Sequence, residues 1–350
     1  MDFSPDDTQR AVADLAQTVI RSADADHARS TAALHSVAGY DEALWKAMAQ
    51  AGLLSLAVPE ALGGEGFGTL AVAAVLAEVG RQTIPVPAFA TLSLGVLPLA
   101  TFGTSAQQSV LAEVADGAVL TAALADVPAE FVGATLVLTG RAPAVPYAAQ
   151  ARLILVPTEQ GVALVDPTGP GVTFERCSNS TGTPEYTVVL TGAEVDRAYV
   201  LAASVDDLSR FAIAGAAALA GGVLAGALAL TAEHLRTRHQ FGKPLATFQA
   251  VAQQIADVYV VARTVQLAST SVNWRLAEGL DADDDLDIAG YWLAAEMPTA
   301  LQVCHHLHGG LGVDITYPLH RYYSQGKDLA RLVGGSASRL ERIGVRCSSN

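Results

Sequence analysis

Residues 236–249 read RTRHQFGKPLATFQ and stand five residues beyond a long uncharged run. Arg236, Arg238, His239 and Lys243 place four basic or potentially basic side chains within eight residues. The chain as a whole is acidic: 21 Lys and Arg stand against 35 Asp and Glu, a formal net charge of −14. A basic cluster in an acidic protein is a candidate anion contact, and Arg grips phosphate through two parallel hydrogen bonds. Phe241 offers a face for stacking on a planar ring, and Gly242 lets backbone come close to a ligand. The same residues also suit a solvated helix C-terminus, where cations complement the dipole. Residue chemistry alone leaves both readings open.

Upstream, residues 211–230 read FAIAGAAALAGGVLAGALAL, twenty residues without a charge. That length can span a bilayer. However, about half of it is Ala, no basic cluster flanks one side, and true spans are richer in Leu, Ile and Phe. The reading is a buried, closely packed helix over 206–238 and no membrane span. Downstream, the apolar spacing predicts helices over 249–279, over 287–306 with Gly309 and Gly310 ending it, and over 337–345. Residues 305–312 read HHLHGGLG. The Gly pair suits either a helix C-cap or a close backbone approach to a phosphate or ring. Three His in four residues raise a metal site, but no carboxylate or Cys stands at a matching spacing, so no metal is expected. Residues 321–346 hold six Lys or Arg against two acids, which would face an acidic partner or solvent.

Farther out the texture changes. Between 119 and 200, short apolar β-branched runs at 136–138, 153–156, 162–165, 172–174 and 186–190 are separated by turn residues such as DPTGPG at 166–171. That pattern predicts a small antiparallel barrel or sandwich. Helices are predicted again over 6–21, 40–51, 69–80 and 107–114, with a Gly-rich loop at 59–68. Ser4 and Pro5 stand where a helix wants a cap and a first-turn Pro. The expected domains are 1–117, 118–203 and 204–350, helical, β and helical in turn. A composition 51% hydrophobic and 16% charged excludes disorder. The acidic balance argues against a nucleic-acid binder. Cys177, Cys304 and Cys347 are too scattered for a disulfide framework or a zinc site and fit a reducing compartment. MDFSPDDTQR does not read as a signal peptide, so a cytoplasmic location is expected.

Together these stretches resemble the acyl-CoA dehydrogenase family over nearly the whole chain. RTRHQFGKPLATFQ is similar to the family's R-x-Q-F-G-K-x-x-x-x-x-Q segment. LHGGLG at 307–312, followed by TYPLHRYY, resembles its Gln-x-x-Gly-Gly-x-Gly segment and the next helix. LAVPEALGGEGFG at 56–68 resembles its N-terminal-domain loop. The resemblance implies an α+β fold: an N-terminal helical domain, a middle β-barrel and a C-terminal four-helix bundle. It also implies FAD bound mainly by a neighbouring subunit. Arg238, Gln240, Phe241, Gln249, Gly309, Gly310 and Gly312 would contact its ADP half. His306 stands where the family has Gln, and an imidazole still donates one hydrogen bond.

The departures carry as much information. The family's barrel bears a Thr-Glu-x-x-x-Gly-Ser-Asp loop for flavin and CoA. The matching residues 120–133 read LTAALADVPAEFVG, keeping Thr121 and lacking Gly-Ser-Asp. Residues 140–152, GRAPAVPYAAQAR, bring no Trp, Asn or Thr to a flavin ring. The family's reaction needs a carboxylate base beside the substrate α carbon. Its two usual positions fall on Gly334 and Ser209, so no catalytic residue is expected from this chain. Asp206, Asp207, Asp328 and Glu341 read as caps or surface groups. A clamp without its own loop and base implies a longer, complete partner. The resemblance extends to the short subunit of actinobacterial α2β2 dehydrogenases acting on steroid (cholesterol side-chain) acyl-CoA thioesters, which pass electrons to an electron-transfer flavoprotein. Two other readings stay open: a self-sufficient dehydrogenase using Asp206 or Asp207, and a binding protein that has lost FAD.

Overall fold

The computed structural model describes residues 6–22 and 27–349; Ser4 and Pro5 lie outside them. Helix α1 (Asp7–Ser22) begins at Asp6, whose carboxylate accepts the Gln9 backbone N–H at 2.7 Å and so satisfies a first-turn donor. Next come α2 (His27–Leu34), α3 (Glu42–Gln50) and α4 (Thr69–Gln82), with one 3-10 turn, Glu60–Leu62, in the Gly-rich loop. No element is predicted over 89–102, yet a π-helix, Phe89–Val96, runs there into α5 (Leu97–Phe102). The stretch is mostly apolar, with only small hydroxyls at Thr91, Ser93 and Thr101, and is buried throughout from Ala90 to Leu99, so it has little periodic contrast to read. Gln107–Asp116 is 3-10 rather than α. The Gln107 amide donates to the Ala198 carbonyl at 2.8 Å, pinning this turn to the β region.

The middle of the chain forms β1 (Leu120–Ala122), β2 (Ala129–Val132), β3 (Thr135–Pro146), β4 (Leu153–Thr158), β5 (Gly161–Val165), β6 (Val172–Arg176), β7 (Glu185–Asp196) and β8 (Val200–Leu201). All five predicted runs fall in these strands. They make two four-stranded sheets, ordered β1-β4-β5-β8 and β2-β3-β7-β6. Every pairing is antiparallel except β1 with β4, which is parallel. Strands β4 and β5 are buried nearly throughout, and Leu138, Ile154, Val162 and Val188 join a core shared with the helices.

The rest is helical: α6 (Val205–Thr237), a hairpin of β9 (His239–Gln240) and β10 (Lys243–Pro244), α7 (Gln249–Ala277), α8 (Asp283–His308), α9 (Leu319–Leu332) and α10 (Gly335–Ser349). Helices α6 to α9 pack on one another as a four-helix bundle. Helix α6 is long and apolar enough to cross a membrane, but 72% of its most apolar window is buried inside the protein. Its small residues have a packing cause. Gly222 lies against the Ala77 backbone of α4, where a Cβ would collide, so the two helices meet backbone to backbone.

One expectation is corrected. Most of the arginines in the basic stretch 321–346 are bonded within the chain, although Lys327, Arg331 and Arg342 remain exposed to solvent. Arg339, Arg342 and Arg346 converge on Asp287 of α8, a carboxylate 1% exposed, at 3.0, 3.0 and 2.5 Å. Arg331 pairs with Glu185 at 2.6 Å, and Arg321 donates to the Thr83 carbonyl. Spacing along the sequence shows a charge run; only the packing of α10 on α8 brings the distant acid under it.

Candidate functional site

The site residues gather at one end of the bundle, where α6 and α8 both finish. Beyond α6 the chain turns back through a two-residue hairpin whose tip is Phe241 and Gly242, at φ +52° and +77°. Two left-handed residues give the turn that matches hairpin twist. Gly takes that conformation freely; an aromatic residue does so at a cost, and such strain concentrates at functional positions. The Phe241 side chain is nonetheless 92% exposed, its ring set edge-to-face with Phe248 at a centroid distance of 6.1 Å.

The four basic residues divide. Arg236 pairs with Glu233 at 2.6 Å. The Lys243 ammonium sits 4.4 Å over the Phe248 ring. The His239 ring meets the Thr237 carbonyl at 3.0 Å. Arg238 bonds through its backbone alone, to His234 and Leu245, and its exposed guanidinium has no ion pair among the described residues. Gln240 and Gln249 are exposed beside it.

The second segment ends α8. Gly309 and Gly310 are exposed, with nothing within 4 Å of where a side chain would begin. Gly312 differs: it is buried under the His305 carbonyl, so its small size serves the fold. The three His also divide. His305 Nδ1 meets the Gly312 carbonyl at 2.7 Å, and His308 is held by the Cys304 carbonyl at 2.8 Å and the Tyr317 hydroxyl at 3.2 Å. His306 alone faces solvent. Among the described residues, no three His, Cys, Asp or Glu come together around a metal position. The segments meet where His234 of α6 stacks on His308 of α8, centroids 4.5 Å apart. Burial pushes both imidazoles below their ordinary value. Arg238 adds to the shift of His234; for His308 the Cys304 hydrogen bond opposes it, while His234 and His305 add to it. The sequence reading missed His234 and Tyr317, because a lone His or Tyr carries no signal until its partner is placed.

The stretch matching the flavin loop is closed by the chain itself. Leu120, Thr121, Ala122 and Ala123 are buried, and Gly95 of the π-helix presses on Leu120. The Thr121 hydroxyl donates to the Pro146 carbonyl at 2.7 Å. The Ala123 and Val127 N–H groups donate to Leu155 and Pro157, each at 2.9 Å. Buried Tyr147 fills the next turn against Tyr40, burial pushing its phenol far up.

Two of the four carboxylates near the two family base positions have structural tasks. Asp207 accepts the Ser204 N–H at 2.9 Å and its hydroxyl at 2.7 Å, closing a capping box at the start of α6. Asp328 accepts the Ser180 and Thr181 N–H groups, each at 2.9 Å. Asp206 and Glu341 are exposed, Ser209 is half-buried, and Gly334 is exposed just beyond α9.

Two family descriptions match the chain: acyl-CoA dehydrogenase, N-terminal domain, over residues 6–118, and acyl-CoA dehydrogenase, C-terminal domain, over 207–346. The chain belongs to the acyl-CoA dehydrogenase family. It is 46% identical over 358 residues to acyl-CoA dehydrogenase FadE28 of Mycobacterium tuberculosis (strain ATCC 25618 / H37Rv), covering 99% of each. It is similar to a chain of the ChsE4-ChsE5 complex from Mycobacterium tuberculosis, with a TM-score of 0.93, 34% identity and 100% of both chains covered. A chain in a variant of the Tcur3481-Tcur3483 steroid ACAD gives a TM-score of 0.92 at 32% identity, with 98% of both covered. The α+β fold that the sequence resemblance implies is the fold observed. The protein is thus an oxidoreductase of the acyl-CoA dehydrogenase type, a family whose cofactor is FAD.

Proposed function

We propose that this chain is the short subunit of a heteromeric steroid acyl-CoA dehydrogenase, which introduces an α,β double bond into a steroid (cholesterol side-chain) acyl-CoA thioester. It completes the FAD site of a longer partner and supplies no base. One observation carries the reading: an open clamp and a closed cradle occur on the same chain. The Arg238 guanidinium, without an ion pair among the described residues, the exposed Phe241 ring and the bare backbone at Gly309 and Gly310 fit the diphosphate and adenine end of FAD. Residues 120–127 fit its flavin end poorly, because they lack the family's polar side chains and the Thr121 hydroxyl and the Ala123 and Val127 N–H groups are already engaged within the protein.

In this reading Arg238 holds a phosphate and Phe241 stacks on the adenine. Gln240, Gln249 and His306 donate hydrogen bonds, and the turn of Gly309, Gly310 and Gly312 shapes the backbone approach. When bound, FAD supplies the acceptor for the hydride that leaves the substrate β carbon. The α proton goes to a carboxylate of the partner, since Ser209 and Gly334 cannot accept it at neutral pH. The engagement of Asp207 in its capping box argues against a self-sufficient enzyme. The relatives' complexes, each named for two components, support a heteromeric partner, and the assembly proposed is an α2β2 heterotetramer. It would be cytoplasmic and would pass electrons to an electron-transfer flavoprotein. The divisions 1–117, 118–203 and 204–350 are proposed as its domains.

Flavin stoichiometry tests this. Produced alone, the chain should be colourless; produced with its longer partner, it should give about one FAD per heterodimer, because each clamp serves one complete cradle. A yellow, active homo-oligomer of this chain would refute the proposal.

A further inference from the structure

Between the two halves of the clamp stand two imidazoles, face to face. His234 lies on α6 four residues before Arg238, and His308 is the last residue of α8, directly before Gly309. Their ring planes are 20° from parallel at a centroid distance of 4.5 Å. Both His308 nitrogens are engaged. With Nδ1–H donating to the Cys304 carbonyl, Nε2 is left to accept the Tyr317 hydroxyl proton. Tyr317 lies beyond the Gly-rich turn, so this bond ties the far end of the turn back to the stack. The stack therefore ties the end of α6 that leads to Arg238 to the end of α8 that leads to Gly309.

We propose that the His234–His308 stack, closed by Tyr317, is a positioning brace that holds Arg238 and the 309–312 turn in register for FAD, and that acid opens it. The proposal rests on the clamp reading above. Two neutral imidazoles stack without penalty, whereas two imidazolium rings at this distance repel. The groups acting on the rings offer a proton no partner. Arg238 faces His234 from the end of α6; His305 faces His308 from α8, and Tyr317 from the connecting segment. Nearby, Glu233 is paired with Arg236, Asp314 is turned onto Thr316, and Arg321 and Tyr322 of α9 bond to Thr83 and Arg81. No carboxylate figures among the causes that shift either ring. Both values lie below the ordinary one, so the neutral form is the folded form. The brace is intact above the ordinary imidazole range and is lost as pH falls through and below it.

The test is the rate at which the flavin-loaded complex releases FAD, followed by free-flavin fluorescence from about pH 8 to about pH 5.5. Wild type should release FAD at least about fivefold faster at the acid end. The pair His234→Phe with His308→Phe keeps two stacked rings that cannot titrate, and should flatten the profile. His308→Ala should release quickly at every pH. If the Phe pair does not fold, His234→Phe alone should still reduce the slope. Arg238→Ala separates the two readings: if it releases FAD no faster than wild type, the clamp reading fails and the brace fails with it. If Arg238→Ala releases fast while wild type is flat in pH, or while the Phe variants keep the wild-type slope, the brace alone is overturned.

Discussion

Arg236 and Arg238 stand two residues apart and meet different fates. Arg236 reaches Glu233 one turn back on its own helix. Arg238, just past the helix end, has no carboxylate in reach among the described residues. A surface ion pair contributes little, about 0–1 kcal/mol, so Arg236→Ala should leave flavin content unchanged. Arg238→Ala should weaken FAD retention in the complex by roughly ten- to a hundredfold, since a hydrogen bond to a charged group is worth about 1.5–3 kcal/mol. Arg238→Lys should recover part of this, because an ammonium lacks the fork that matches two phosphate oxygens. Flavin content by absorbance checks all three. Equal retention in wild type and Arg238→Ala would make the segment a solvated helix end, the other reading its residues allow.

At the scale of elements, α10 is the case where charge decides docking. Gly334 and Gly335, at φ +83° and +78°, let the chain turn sharply out of α9. The helix that follows exposes Leu340 and Val345 and is held largely by its three Arg on Asp287. Removing one member of a buried pair strands the others, at a cost of about 3–5 kcal/mol for a fully buried site. Arg342 is half exposed and can return to water, which puts Asp287→Ala at the low end, about 3 kcal/mol. The expected outcome is a lower melting temperature and early proteolytic cutting after Leu332, with the rest of the bundle still protected. Asp287→Asn should fall between, since an amide keeps an acceptor but not the charge. Unchanged protection of α10 in Asp287→Ala would mean that apolar contact with α8 holds it instead.

For the whole molecule the question is which subunit takes the proton. Asp206 and Asp207 are the acids next to Ser209, and Asp207 is already bonded to Ser204. Asn accepts the same cap hydrogen bonds. The double change Asp206→Asn, Asp207→Asn should therefore leave turnover per bound FAD within about tenfold, whereas loss of a true general base costs about 10²–10⁴-fold. Dehydrogenation of a steroid side-chain CoA thioester with an artificial acceptor measures it; collapse of activity with FAD still bound would place the base in this chain. The sequence by itself determined the helix–sheet–helix order, the five longer strand runs and the two Gly-bearing segments, because local periodicity and turn chemistry write those directly into the chain. It also marked 120–133 as lacking the family's polar groups. It did not determine the π-helix at Phe89–Val96, whose uniform burial erases any period, or the parallel pairing of β1 with β4, which joins residues about thirty apart. Only the tertiary structure decided that the C-terminal arginines serve Asp287, that Gly312 is small for packing while Gly309 and Gly310 lie open, and that His234 meets His308. Each of these joins residues that are distant in sequence or turns on which side of a short segment faces solvent, and spacing along a single chain records neither.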